Sequence, residues 1–154
     1  MSAAAPARLT LGRYVERRTG IPLGAKGSLQ QMLRKSLGAS TFDGFWRYWN
    51  PIWGYYLGRY INGPLRKMLP PAPALVATFA ISGAIHDGAI LAVTGSPSFL
   101  LTTWFTVLGL TVAITRRTGL RYGFGSWVAR ASVNVALLAA GFGIAELVLR
   151  ASGL

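Results

Sequence analysis

Three stretches of the chain are almost continuously apolar, and short polar or basic segments separate them. These stretches cover residues 72–94, 98–115 and 131–149. A helix that crosses a membrane needs about 20 apolar residues, within a range of about 17 to 25, so each stretch is long enough to span. The pattern therefore predicts a core of three transmembrane helices.

The charges between these stretches predict which side of the membrane each connection occupies. The turn at residues 95–97 is uncharged, whereas residues 116–130 carry four arginines, and eleven of the sixteen basic residues precede Pro71. Connections rich in Lys and Arg stay in the cytoplasm. We therefore expect the amino terminus and the second connection to be cytoplasmic, and the short turn and the carboxyl terminus to lie on the opposite side.

A short amphipathic pattern precedes the apolar stretches. Ser28 and Gln31 have the spacing of a capping box, and Gly38 is a plausible end for the helix. Four apolar residues fall on one face of it, namely Leu29, Met32, Leu33 and Leu37. This pattern predicts a basic helix lying in the membrane interface. The alternative is an ordinary helix that packs on another domain with its polar face in solvent.

Aromatic residues dominate the segment that follows. They recur with helical spacing at Phe45, Trp49, Trp53, Tyr56 and Tyr60. Pro51 cannot donate a hydrogen bond inside a helix and disfavours helical backbone at Asn50, so we expect the helix to break there. The break would leave the Asn50 amide available to a ligand. Alternatively, the aromatic residues form an interfacial belt and Asn50 only caps the next turn.

Composition supports a membrane protein. Of the 154 residues, 52% are hydrophobic and 13% are charged, whereas soluble domains carry about 25% charged residues. The net charge of +12 lies beside the apolar stretches, where anionic lipids attract basic residues, and no nucleic-acid-binding motif accompanies it. We therefore expect membrane lipids rather than nucleic acid as a partner. With no cysteine in the chain, disulfides and thiolate-bound metals are excluded, and we expect no metal site.

These patterns divide the chain into three segments. Residues 1–27 form a basic amino-terminal segment without the apolar run of a secretory signal peptide. Residues 28–71 hold the interfacial helix and the aromatic helix broken at Pro51, which we expect to be re-entrant. Residues 72–154 hold the three-span core. The expected fold class is thus an all-α integral membrane protein.

The only histidine of the chain, His86, lies in the middle of the first apolar stretch. An ionisable residue at that depth is costly and indicates a functional site. Ser82 shares its helical face, whereas Asp87 points about 100° further round the helix. His86 is either a general base that takes a proton from a hydroxyl group or a structural histidine bonded between helices. Residues alone do not separate these two interpretations.

Two blocks of the chain resemble the paired signatures of the membrane-bound O-acyltransferase family. The first is FWRYWN at residues 45–50, and the second is TFAISGAIHD at residues 78–87. Their order, spacing and residue types are similar to the wax-synthase-like branch, in which FW-x-x-W-[HN] precedes TF-x-x-SG-x-x-H. The resemblance covers about residues 40–95. It corresponds to the carboxyl-terminal core of the longer family members.

The resemblance implies a reaction and a set of residues. Family members transfer an acyl group from a thioester, usually acyl-coenzyme A, to a hydroxyl acceptor within the membrane. His86 matches the histidine taken as the catalytic base, and Asn50 matches the residue that positions the donor or stabilises the oxyanion. The candidate substrate-binding residues are Trp46, Arg47, Trp49, Ser82 and Asp87. No bound cofactor is implied, because the acyl thioester is a co-substrate.

Two functions from different classes are therefore open. The first is an acyltransferase, or the catalytic core of one, that acts on a lipidic or small alcohol in a bacterial inner membrane. The second is a non-catalytic membrane subunit that packs its small-residue stripe, Ala80, Ala84 and Gly88, against a larger complex. In either case a homo-oligomer or a partner chain could supply helices that this chain lacks. Proton or ion conduction through His86, Asp87 and Glu146 is disfavoured, because Glu146 is expected near the membrane edge, away from the other two residues.

Overall fold

The computed structural model describes residues 9–123 and 125–153, and every regular element within them is a helix. The helices are α1 (Leu11–Thr19), α2 (Ser28–Leu37), α3 (Phe42–Tyr48), α4 (Pro51–Leu57), a π-helical turn (Gly58–Asn62), α5 (Gly63–Leu65), α6 (Pro71–Thr94), α7 (Leu100–Thr118) and α8 (Trp127–Ser152). The all-α prediction is confirmed for this part of the chain.

Two of these helices, α6 and α8, are long and apolar enough to cross a membrane. The second predicted span, residues 98–115, forms helix α7 but is not one of them, so the number of spans stays a prediction. Threonines and the terminal Arg116 and Arg117 make α7 more polar than its neighbours. Several threonine hydroxyls donate back to carbonyl oxygens one turn earlier, as Thr106 does to Thr102 and Thr111 does to Val107. Such bonds satisfy the hydroxyl groups within the helix.

Helices α6, α7 and α8 pack as an antiparallel series. Asp87 of α6 accepts hydrogen bonds from the first turn of α7, from the backbone N–H groups of Leu101 and Thr102 and from the Thr102 hydroxyl. It satisfies donors that the start of a helix leaves open. On the other side of α7, the Trp104 indole donates to the Leu138 carbonyl of α8 over 3.1 Å. The helices therefore meet through polar groups as well as apolar contacts.

The short helices before α6 cover one end of this series. Phe42 and Phe45 of α3 are buried with Leu108 and Val112 of α7, and they form the centre of the hydrophobic core. Burying a large apolar side chain contributes roughly 1.5–3 kcal/mol. The FWRYWN segment is thus anchored to α7 by Phe45, together with Phe42 just before it.

A polar network joins the end of α2 to the start of α8. The fully buried Asn134 donates from Nδ2 to the carbonyl oxygens of Leu37 and Ala39, and its Oδ1 accepts from the Tyr122 hydroxyl over 2.6 Å. Trp127 donates to the Arg34 carbonyl. These donors satisfy carbonyl groups that the end of α2 leaves open. The buried asparagine therefore has a structural role.

The amino-terminal elements differ from expectation in two respects. Helix α2 begins and ends where the sequence predicts, but its amino-terminal cap is Gly27, and the Ser28 hydroxyl donates to the Ala25 carbonyl. The predicted capping box is therefore wrong. The basic segment, for which no element was predicted, contains α1, with Thr10 as its cap and a buried Val15.

Candidate active site

Asn50 lies at the break between α3 and α4, as its position before Pro51 predicts. Its φ of 38° is the only positive value among non-glycine residues in the described part of the chain. Asparagine tolerates this left-handed backbone better than most residues. Its Oδ1 accepts a hydrogen bond from the Trp53 N–H over 3.2 Å and so caps α4. The capping interpretation is therefore confirmed.

The same bond orients the Asn50 amide. Because Oδ1 faces the α4 backbone, the Nδ2 group points away from it as a free donor. Among the described residues, no acceptor bonds this nitrogen, and Asn50 is exposed to the adjacent cavity. A cap and a ligand donor can therefore coexist in one side chain.

The orientation of the His86 ring, and its tautomer when neutral, are fixed by a contact within its own helix. Its Nδ1 lies 2.6 Å from the Ser82 carbonyl oxygen, which can only accept. Nδ1 must therefore carry the hydrogen, and in the neutral ring Nε2 holds a free lone pair. This tautomer is the one that a general base requires at Nε2.

Two aromatic residues hold the His86 ring in place. Phe105 of α7 lies in a near-parallel stack at 5.3 Å between centroids, and Trp53 of α4 meets the ring edge to face at 5.7 Å. The Trp53 indole also donates to the Ser82 hydroxyl over 2.9 Å. Trp53 thus joins the two sites: its backbone N–H bonds the Asn50 side chain, and its indole contacts Ser82 and the His86 ring.

These side chains line one cavity of about 540 Å³ between α3, α4, α6 and α7. Six of the seven residues proposed from the sequence contribute to its wall, namely Trp46, Arg47, Trp49, Asn50, Ser82 and His86. A volume of this size is typical of a small-molecule site. The structure therefore brings both signature blocks to one cavity.

The cavity has a cationic end and an aromatic end. Arg47 and Arg116 lie at one end, where Asp43 pairs with Arg47 at 3.0 Å and with Arg116 at 3.6 Å. Phe105 and His86 lie at the other. Along α7 the distance from Phe105 to Arg116 is about 16 Å at 1.5 Å per residue. The cavity thus suits an elongated molecule with an anionic end.

Asp87, the seventh proposed residue, does not line this cavity. Its carboxylate is buried against the start of α7, where it accepts three hydrogen bonds. Glu146 lies far along α8, where it pairs with Arg150 at 3.4 Å. Asp87 and Glu146 therefore stand outside the group that contains His86.

Sequence reasoning did not assign Trp53, Phe105 and Arg116 to the site. Trp53 was visible in the aromatic repeat, three residues after Asn50. A helix that begins at Pro51 places the Trp53 N–H where the Asn50 side chain can accept from it. Phe105 carried no such signal, because one aromatic residue in an apolar stretch does not reveal its neighbour. In the described residues, no cluster of His, Cys, Asp and Glu could hold a metal ion.

No family model, curated protein or solved structure matches this chain. The resemblance to the membrane-bound O-acyltransferases accordingly remains an expectation from the two sequence blocks.

Proposed function

We propose that the protein is the catalytic core of a membrane-bound O-acyltransferase of the wax-synthase-like type. The observation that supports this most is that Asn50 and His86 line the same cavity, with a donor and a base left free. The two signature blocks are separated along the chain, so nothing in their spacing alone requires this meeting. A purely structural histidine would have no need of an open Nε2.

The proposed reaction uses one proton and one carbonyl group. Nε2 of His86 takes the proton of the acceptor hydroxyl as its oxygen bonds to the thioester carbonyl carbon. The Asn50 Nδ2 group donates to the oxygen that becomes negative in the tetrahedral intermediate. The carbon–sulfur bond then breaks, and the thiolate takes the proton from Nε2. The products are an ester and a free thiol.

The shape and charge of the cavity fit an acyl-coenzyme A donor. Arg47 and Arg116 share a single carboxylate, Asp43, so positive charge is in excess at that end. Guanidinium groups bind phosphate with two parallel hydrogen bonds. The thioester would then lie toward the aromatic end, beside His86, where a lipidic or small alcohol also enters.

The membrane placement belongs to the same proposal. Helices α6 and α8 cross the bilayer, α7 crosses between them, and α2 lies in the interface. The basic amino-terminal part and the α7–α8 connection face the cytoplasm of a bacterium. This arrangement supports the function because it places His86 within the membrane and the arginines of the cavity at the cytoplasmic surface, where acyl-coenzyme A is found.

Acyl transfer by purified variants tests the proposal. In lipid nanodiscs with a labelled acyl-coenzyme A and a long-chain alcohol, we expect His86→Ala to lower the rate by about 10²–10⁴-fold, the usual contribution of a positioned acid or base. Glu146→Gln is the matched control, because it removes a polar group of the membrane region outside the cavity. Thermal unfolding verifies that both variants fold. Undiminished transfer by the folded His86→Ala variant contradicts the proposal.

A second candidate function has one observation in its favour. Beyond Ser82, most of α6 is exposed, including Ala84, Ile85, His86 and Gly88. A non-catalytic subunit would cover this face with helices of a partner chain. Co-purification with a partner at fixed stoichiometry, without transfer from any thioester by the complex, would favour it. Transfer that depends on His86 would exclude it.

A further inference from the structure

A second cavity of about 770 Å³ also borders α3 and shares Asp43 and Arg47 with the first cavity. Its walls are the second half of α2, the α2–α3 connection, Arg121 in the α7–α8 connection and the first turn of α8. Five basic side chains line it against one acidic side chain, Asp43; the basic residues are Arg34, Lys35, Arg47, Arg121 and Arg130. Apart from the shared Arg47 and Asp43, the proposed acyltransferase reaction uses none of these charged residues.

Three of these five basic side chains have partners within the chain. Arg130 donates to the carbonyl oxygens of Gly38 and Gly125, and Lys35 donates to the Arg18 carbonyl. Arg47 is paired with Asp43, which also lies in the wall of the first cavity. These contacts fix positive groups around the cavity without supplying an equal negative charge.

Arg34 and Arg121 have no carboxylate partner within 4.0 Å among residues 9–123 and 125–153. The carbonyl oxygens at the end of α2 do not compensate them either. The Arg34 and Leu37 carbonyls accept from Trp127 and Asn134 instead. Two guanidinium groups of the cavity therefore have no partner among the described residues, and an anion is the ligand that this arrangement favours.

We propose that this second cavity is a binding site for a phosphate-bearing anion. A planar guanidinium group donates two parallel hydrogen bonds to two oxygens of a phosphate ester. Gln31 and Ser40 add neutral polar groups to the wall. Trp127 forms part of the rim at the start of α8, and tryptophan prefers the headgroup level of a bilayer. The site thus lies where the phosphate of an anionic lipid would be.

Two kinds of molecule carry a phosphate group that fits this site. One is the headgroup of an anionic phospholipid in the cytoplasmic leaflet, and the other is a soluble phosphate compound. A cavity at the headgroup level of the bilayer is accessible to both kinds of molecule, because that level is also open to water. Binding experiments in neutral and in anionic bilayers distinguish them.

The test measures anion binding by the full chain in nanodiscs. Native mass spectrometry counts phosphatidylglycerol retained in mixed bilayers, and calorimetry follows pyrophosphate in purely neutral bilayers. The variant Arg34→Gln with Arg121→Gln is compared with Arg66→Gln with Arg117→Gln, which removes the same charge outside both cavities. A direct hydrogen bond from a guanidinium group to the bound phosphate contributes about fivefold, so the cavity variant is expected to bind about 25-fold more weakly than the control variant.

Loss of phosphatidylglycerol by the cavity variant alone supports a lipid headgroup, and loss of pyrophosphate binding by that variant alone supports a soluble phosphate. Equal effects of the two double variants, or no binding of either anion by the unsubstituted protein, overturn the proposal. If the cavity variant does not fold, Arg121→Gln in the α7–α8 connection is compared with Arg117→Gln, with an expected difference of about fivefold.

Discussion

Asn50 combines two tasks that are usually given to separate residues. Its amide oxygen caps α4, and its left-handed backbone allows the chain to turn from α3 into α4. Left-handed backbone costs a non-glycine residue of order 1–3 kcal/mol, which the surrounding structure must offset. The buried phenylalanines of α3 and the contacts of Trp53 hold the two sides of this turn. The result is a free amide nitrogen at a fixed place in the cavity wall.

Replacing Asn50 by Asp separates its two tasks. A carboxylate still accepts from the Trp53 N–H and suits the start of a helix, so the free energy of unfolding is expected to change by less than about 1 kcal/mol. The Nδ2 donor is lost, and acyl transfer is expected to fall by about 10²–10³-fold, as for other lost oxyanion donors. Denaturant unfolding and the transfer assay measure the two effects.

The matched comparison at this position is Asn50→Ala, which removes the cap as well as the donor. It is expected to destabilise the chain by about 1 kcal/mol more than Asn50→Asp, because the left-handed turn also disfavours alanine. Equal transfer rates for the Asp variant and the unsubstituted protein would leave Asn50 with its capping role alone.

Single polar residues show where sequence reasoning stops. His86 and Asp87 are neighbours in an apolar stretch, and each indicates a functional site on its own. Helical geometry separates their directions by about 100°. His86 therefore faces the cavity, and Asp87 faces the first turn of α7. The identity of the facing element depends on tertiary packing, which a single sequence does not contain. For the same reason the partners of Asn134 could not be named.

At the level of elements, contact between α6 and α7 depends on a glycine. A Cβ atom on Gly83 would contact the Leu101 carbonyl oxygen and lie 2.7 Å from the Cα of Thr102. Both neighbours belong to the backbone and cannot rotate away. Asp87, one turn later, bonds the same two residues. Close approach at Gly83 therefore sets the position from which Asp87 reaches α7.

Gly83→Ala is expected to destabilise the protein, because α6 and α7 would have to separate. Inserting a methyl group into a tight contact costs about 1–3 kcal/mol. Gly88→Ala is the control on the same helix, since no described atom lies within 4 Å of its added Cβ. Alanine is favoured over glycine in helices by about 1 kcal/mol, so this control should be neutral or stabilising. Thermal unfolding in nanodiscs measures both, and equal shifts would show that the close approach has no consequence.

The long helices follow from periodicity, but the short ones do not. Continuous apolar stretches predicted α6, α7 and α8, and the amphipathic stripe predicted α2, because each pattern extends over several turns. Helix α1 has only nine residues, and its apolar face of Leu11, Tyr14 and Val15 is too short to be distinguished among three arginines. The π-helical turn at Gly58–Asn62 also has no period of its own. Its Asn62 donates to the Thr78 hydroxyl of α6, a tertiary contact.

Across the whole molecule, Tyr122 and Asn134 connect the amino-terminal helices to the carboxyl-terminal one. Burial raises the pKa of Tyr122 to about 12 from its ordinary value of 10.0. The hydroxyl hydrogen is needed for its bond to Asn134. Ionisation of the phenol would therefore remove the donor and place a negative charge in a buried position.

This pKa predicts a loss of stability in alkaline solution. A group whose pKa is raised in the folded state contributes fully below its unfolded pKa of about 10 and loses that contribution as the pH rises toward 12. We expect the unfolding free energy to fall between pH 10 and 12 more steeply for the unsubstituted protein than for Tyr122→Phe. Lysine titration affects both proteins equally. Parallel curves across this range would show that Tyr122 is ionised without cost in the folded protein.

The number of membrane crossings is the remaining question at the scale of the molecule. The chain contains no cysteine, so single cysteines can be placed at will in an unreactive background. Ser96 lies in the turn between α6 and α7, Thr118 ends α7, and Ser152 ends α8. All three are exposed positions. Their accessibility to a reagent that does not cross membranes reports on each crossing.

Three crossings predict an alternating result in intact cells. Ser96→Cys and Ser152→Cys are expected to react with an impermeant maleimide from outside, whereas Thr118→Cys reacts only after the membrane is opened, because positively charged connections stay in the cytoplasm. If α6 and α8 cross but α7 does not, residues 96 and 118 lie on one side and react alike. Detergent-opened cells provide the control for intrinsic reactivity. Labelling of Thr118→Cys in intact cells would contradict the cytoplasmic position of the cationic end of the first cavity. Labelling of both Ser96→Cys and Thr118→Cys would contradict a crossing by α7.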